Sequence, residues 1–173
     1  MATTMHSGER LAHRPPLWDR PDAVGLAASI LIPLVAVLVG NGLLALTGGE
    51  ENADYQAVSW NPPGWVIGLI WCVIYPLWGA ARWTVATAER ALLGRSVWVA
   101  ALIVWGLCYP VVTAFVGTEG SVIANVFSLV LAIVTVMRVW PVSMAAVAMI
   151  GPSIVWLLIA NALGFAALEQ ARL

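Results

Sequence analysis

Five apolar runs, each near or above the ~20 residues that cross a bilayer as a helix, fill most of this 173-residue chain. They extend over about 23–46, 63–85, 96–116, 121–139 and 141–168. Hydrocarbon offers the backbone no hydrogen-bond partners, so such runs become helices that satisfy their own N–H and C=O groups. Composition agrees: 61% of residues are hydrophobic and 10% charged, where soluble domains carry roughly 25% charged. The expectation is an all-α membrane protein, a five-transmembrane-helix bundle over residues 23–168. Residues 1–22 read as a polar, mobile tail, 47–62 as an extracytoplasmic loop or lid, and 169–173 as a C-terminal tail.

Two boundaries are set by short breaks. Gly117-Thr118-Glu119-Gly120 reads as a tight turn between the third and fourth runs, and Trp140-Pro141 ends the fourth. The first run is longer than a signal-peptide core and has no small-x-small cleavage site after it, so it is read as retained.

Charge placement gives a topology. All eight basic residues are Arg. Arg10, Arg14 and Arg20 precede the first run, Arg82, Arg90 and Arg95 surround the loop after the second, and Arg138 precedes the fifth. The other loops are acidic, with Glu50, Glu51 and Asp54 in the first and Glu119 in the third. The positive-inside rule places the N-terminus in the cytoplasm, and five spans then leave the C-terminus outside. The chain carries no organellar presequence, which points to a bacterial cytoplasmic membrane. A net charge of −1 provides no basic field, so no nucleic-acid partner is expected. The bilayer is the first partner.

Ten Trp residues are far more than usual, and the indole suits lipid–water boundaries and apolar pockets that need one donor. Trp60-Asn61-Pro62-Pro63-Gly64-Trp65 opens the second run. The prolines fix the backbone and lack N–H donors, so this helix start leaves water with fewer unpaired groups. Trp71, Tyr75, Trp78 and Arg82 follow at i, i+4, i+7 and i+11, on one helical face. That face would suit a flat apolar macrocycle with anionic edges. Equally, Trp71 and Tyr75 would pack against neighbouring helices, Trp78 and Trp83 would form an aromatic belt, and Arg82 would obey the positive-inside rule. Trp98, Trp105 and Tyr109 repeat the pattern in the third run. Trp98 reads as an interfacial anchor, and Trp105 and Tyr109 as cavity lining or packing. Pro76 and Pro110 each remove a helical hydrogen bond and are placed to kink their helices.

Asn41, Asn125 and Asn161 lie at bilayer depth, where an unpaired amide is costly, so all three are expected to face the bundle interior and pair between helices. Asn161, five residues past Trp156, is also placed to touch a ligand. Ala160-x-x-x-Gly164 and Ala162-x-x-x-Ala166 permit close helix approach, within the bundle or in a homodimer. Cys72 and Cys108 have no metal-site spacing, and buried inert thiols are their ordinary role. His6 and His13 lie in the tail, so a bundle histidine for haem is absent. No span contains an acid, which disfavours a proton-coupled pump. No nucleophile–base pair, metal cluster or phosphate loop is present, so no catalytic residue and no required cofactor is expected.

The W-N-P-P element, then Trp71-x-x-x-Tyr75-x-x-x-Gly79-x-Ala81, then Pro152-x-x-x-Trp156-x-x-x-Ala160, resemble the TspO/translocator-protein family, the tryptophan-rich sensory proteins. The resemblance implies five membrane helices and binding of porphyrins, haem or other tetrapyrroles, or sterols. It also implies a role in transport, stress sensing or light-dependent porphyrin breakdown, the last being the sole enzymatic reading. It implies that ligand sits under the first loop against Trp71 and Trp156, with Trp60, Asn61 and Ala160 nearby. The residue patterns above add Tyr75, Trp105, Tyr109 and Asn161 to the candidate lining. The acidic first loop would repel porphyrin carboxylates. The chain departs from the family at Cys108, Val111, Ser153 and Gly164, where the family carries Asn, Trp, Tyr and Asn. The first two, the lost Asn and Trp of the third run, favour a second reading, an accessory membrane subunit that keeps the fold without the ligand.

Overall fold

The computed structural model describes residues 16–46, 53–88 and 94–172. His6, Arg10, His13, Arg14, Glu50, Glu51 and Arg90, with the first part of the predicted lid, lie outside the described residues. The described chain is all-α: a 3-10 turn at Leu17–Asp19, then α1 (Ala23–Leu46), α2 (Ala53–Gln56), α3 (Gly64–Ala88), α4 (Arg95–Val139) and α5 (Met144–Gln170). All but α2 are long and apolar enough to cross a membrane, four helices in all among the described residues.

Helix starts follow local chemistry. Asp22 caps α1 by accepting the Gly25 N–H at 2.8 Å. The Pro63 carbonyl accepts the Val66 and Ile67 N–H groups at 2.8 and 3.3 Å as α3 begins. Ser143 caps α5 through the Ala146 N–H at 3.2 Å, so that helix starts at Met144 rather than at Pro141. The helices run through Pro33, Pro76, Pro110 and Pro152.

The expected four-residue turn after the third run contracts to one residue. Gly117, at φ 64° and ψ −170°, is the non-helical point inside α4. This region of backbone space is essentially reserved for glycine. Thr118, Glu119 and Gly120 are already helical, so their polarity marks a helix end rather than a loop. The two halves of α4 fold back on each other. Thr135 donates to the Trp98 carbonyl, Trp105 to Ser128 and Tyr109 to Asn125, an antiparallel register.

Helix α3 is the hub, packing on α1, on α4 and on α5. Its contact with α1 is very close: a Cβ at Gly79 would collide with the Ser29 carbonyl. The main core gathers Ile74, Tyr75, Trp78, Ala81 and Val85 of α3 against Val99, Leu102 and Ile103 of α4 and Ile150, Trp156 and Leu157 of α5. A smaller cluster of Val58, Leu163 and Ala167, flanked by Tyr55 and Ala166, seats α2 on α5.

The end of the predicted tail folds onto this bundle. Ser29 donates to the Trp18 carbonyl at 2.9 Å, and Trp83 donates to the Arg20 carbonyl at 2.8 Å. Arg82 pairs with Asp19 at 2.6 Å. Trp83 and Arg82 are therefore engaged by the chain itself, beyond any role as belt or topological charge.

Overpacking a tight contact costs about 1–3 kcal/mol, occasionally more. Gly79→Val is therefore expected to lower the thermal midpoint in detergent markedly. Gly42→Val, where a Cβ meets nothing within 4 Å, should leave the midpoint near the parent value.

Candidate ligand-binding site

The aromatic stripe of α3 forms a cluster of three mutually contacting rings. Trp71 lies 5.7 Å from Tyr75 and 6.0 Å from Trp78, and Tyr75 lies 5.3 Å from Trp78, all tilted or edge-on. Edge-to-face contacts of this kind suit the ring quadrupoles. Exposure changes along the stripe. Trp71 is half-buried, whereas Tyr75 and Trp78 are each 2% exposed. Glycine makes that burial possible: a Cβ at Gly106 of α4 would stand 2.8 Å from the Tyr75 hydroxyl and 3.0 Å from Trp78. Trp156 of α5 joins the same apolar cluster, with Trp71 packed against it.

Trp78 is not part of an interfacial belt. Its indole N–H donates to Ser153 of α5 at 3.1 Å, and Ser153 donates onward to the Ile150 carbonyl at 2.7 Å. The same device recurs inside α4. Trp105 donates to Ser128 at 2.7 Å, and Ser128 donates to its own helix at the Ala124 carbonyl, 2.7 Å away. A serine hydroxyl committed to its own backbone turns its lone pairs to a neighbour, and the indole, which only donates, fits that vacancy. Phe127 meets the Trp105 ring edge-on at 4.6 Å.

A second polar group lies further toward Gly117. Tyr109 donates to the Asn125 side-chain oxygen at 2.7 Å, and the Asn125 amide donates to the Ala160 carbonyl at 3.4 Å. Asn161 donates to the Asn125 and Leu157 carbonyls at 3.3 and 2.7 Å. Asn125 and Asn161 are buried and pair between helices as their depth demands, and Asn41 is half-buried. Asp54 of α2 accepts from Thr118, fastening the short helix to α4 just past Gly117.

The nine sequence candidates thus fall into three places. Trp71, Tyr75 and Trp156 share the α3–α5 core. Tyr109, Ala160 and Asn161 meet around Asn125, with Trp105 on Ser128 nearer the bundle's other end. Trp60 is 51% exposed and Asn61 is half-buried, both in the segment between α2 and α3. Sequence reasoning missed the pairing of Trp78 with Ser153: Trp78 was legible only as a member of the α3 face, and Ser153 only as a departure from the fifth-run motif. It also missed Tyr55, which nothing in the loop sequence distinguishes. Cys72 and Cys108 are free thiols.

A buried donor left unpaired costs about 1–3 kcal/mol. Ser153→Ala strands the Trp78 indole, so it should lower stability by that order. In Trp78→Phe the same serine change should cost much less, a coupling read from unfolding midpoints of the four proteins.

A model of the TspO/MBR family matches residues 29–169. No curated protein and no solved structure matches the chain. The matched stretch runs from within α1 nearly to the end of α5 and holds the α3 stripe, Ser153 and Trp156, and on that extent the chain belongs to the TspO/MBR family.

Proposed function

We propose that this TspO-like membrane protein binds a tetrapyrrole, or a similarly flat hydrophobic ligand, between α3 and α5. It would act as a sensor, scavenger or transport facilitator. The observation that carries this reading is the α3 ring cluster, with Trp156 of α5 in the same apolar core, in a chain of this family. Trp71 is the accessible end of the cluster, and its face is the natural first contact for a planar ring. Trp156 would close the other side. Tyr75 and Trp78 are packed, so a macrocycle reaching them must part α3 from α5. Residues 53–62, pinned through Asp54 to Thr118, would have to shift for a ligand to enter from that end.

The full burial of Tyr75 and Trp78 favours a second reading. In it the stripe is core, and the protein is an accessory membrane subunit that keeps the family fold without the ligand. Light-dependent porphyrin breakdown would need ligand bound first, so it stands or falls with the first reading.

The topology proposed is five spans. The halves of α4 on either side of Gly117 are each roughly 33 Å long at 1.5 Å per residue, enough to cross the hydrocarbon separately. Arg20, Arg82 and Arg138 then lie at the cytoplasmic end, with Arg138 over the Trp98 ring at 5.1 Å. The N-terminus is cytoplasmic and the C-terminus outside, in the cytoplasmic membrane of a bacterium.

Two experiments test these readings. Protoporphyrin titrated into purified protein should quench Trp emission saturably at micromolar concentration. Trp71→Phe and Trp156→Phe should weaken binding several-fold with helical content intact. Partitioning equal to that into empty detergent would leave the accessory reading. For topology, alkaline phosphatase fused after Arg172 should be active in a bacterial host and a green fluorescent protein there dark; the reverse pattern would mean an even number of spans.

A further inference from the structure

Two buried polar atoms are left without partners among the described residues: the Tyr55 hydroxyl and the Asn161 side-chain oxygen. They border one junction. Asn161 is 7% exposed, and its amide nitrogen is fixed by the Asn125 and Leu157 carbonyls, which turns its oxygen the other way. Gly164 lies three residues on, so it shares the Asn161 face of α5. A Cβ at Gly164 would stand 2.8 Å from Val122, 3.1 Å from the Tyr55 hydroxyl and 3.6 Å from the Asn125 amide nitrogen. The absence of that Cβ lets the phenol reach in from α2. Burial pushes the Tyr55 pKa up, so the phenol remains a neutral O–H donor.

An unpaired donor and an unpaired acceptor at one helix junction in an apolar bundle are expensive, and natural interiors resolve such groups with a bridging group. One end of the bridge must accept from the phenol and the other must donate to the amide oxygen. A hydroxyl does both with one oxygen. A carboxylate cannot donate, and an ammonium cannot accept.

We propose that Tyr55 and Asn161, brought to one junction by the close contact at Gly164, form a binding site for a single hydroxyl oxygen. The oxygen is either an ordered water or the headgroup of a hydroxyl-bearing amphiphile. It fastens α2 to α5 as a second latch beside Asp54 and Thr118. This inference does not depend on tetrapyrrole binding, since its residues lie apart from the α3 ring cluster.

The test is a thermal-unfolding cycle of the full-length protein with Tyr55→Phe, Asn161→Ala and both together, alongside a crystal structure of the parent in a lipid phase. A bridged site predicts that Tyr55→Phe alone lowers the midpoint. The double variant should then fall by less than the sum of the single losses. An ordered non-protein oxygen should lie within hydrogen-bond distance of both atoms. Tyr55→Phe that leaves the midpoint unchanged or raises it overturns the proposal, as does an additive cycle. So does a structure in which the two atoms bond directly or face an empty gap. Source is read with 1-octanol and octyl methyl ether. A midpoint raised by the alcohol alone, and lost in the double variant, assigns the oxygen to an amphiphile. No response to either, with the cycle still coupled, assigns it to water.

Discussion

A polar hydrogen that finds no acceptor inside hydrocarbon costs several kcal/mol, and no water is at hand to supply one. The arrangement of this bundle depends on that penalty more than on apolar attraction, because lipid tails are as apolar as the leucines they would replace. Two indoles meet it in the same way. Trp78 and Trp105 each donate to a serine that has already given its own proton to its helix. Each such pair fixes the rotation of one helix and its height against another. Trp78 with Ser153 registers α3 on α5, and Trp105 with Ser128 registers the two halves of α4. Tyr109 with Asn125 repeats the second constraint a few residues away.

Glycines permit the distances that these bonds require. Gly79 lets α3 come against the α1 backbone at Ser29, and Gly106 lets the rings of Tyr75 and Trp78 lie on α4. The α3 stripe therefore has two characters. Its Trp78 end is structural and closed, whereas its Trp71 end is half-open. Under the proposed function, a ligand would meet Trp71 before it disturbs anything that holds the helices in register. Access and structural support are thereby separated along one helix face.

Much of this was legible in the sequence because the bilayer imposes length. An apolar run that follows a capping Asp22 carries α1 over Ala23–Leu46, and the run itself is plain in the sequence. The inward facing of Asn125 and Asn161 followed from the cost of burying an amide. The turn at Gly117 was read too long, because polar residues look alike in a loop and at a helix end. Trp78 was placed among belt candidates because periodicity says which residues share a face, not which neighbour that face meets. Ser153 was visible only as a departure from a motif. Its use needs the height of α5 against α3, which no local pattern encodes. Tyr55 was illegible for a similar reason: its surroundings are made by Gly164 and Asn125, more than sixty positions away.

Gly117 has a consequence for how the chain is made. Two long apolar segments joined through one glycine meet as soon as both have left the ribosome, with little chain entropy lost in closing them. With the proposed five spans, such a pair would enter the bilayer together as a hairpin. Its only ionisable cargo at the tip is Glu119, and its internal Trp105–Ser128 and Tyr109–Asn125 bonds would already be formed. Helix α5 would then arrive at a surface that presents Asn125 ready-made, so synthesis order and packing order coincide.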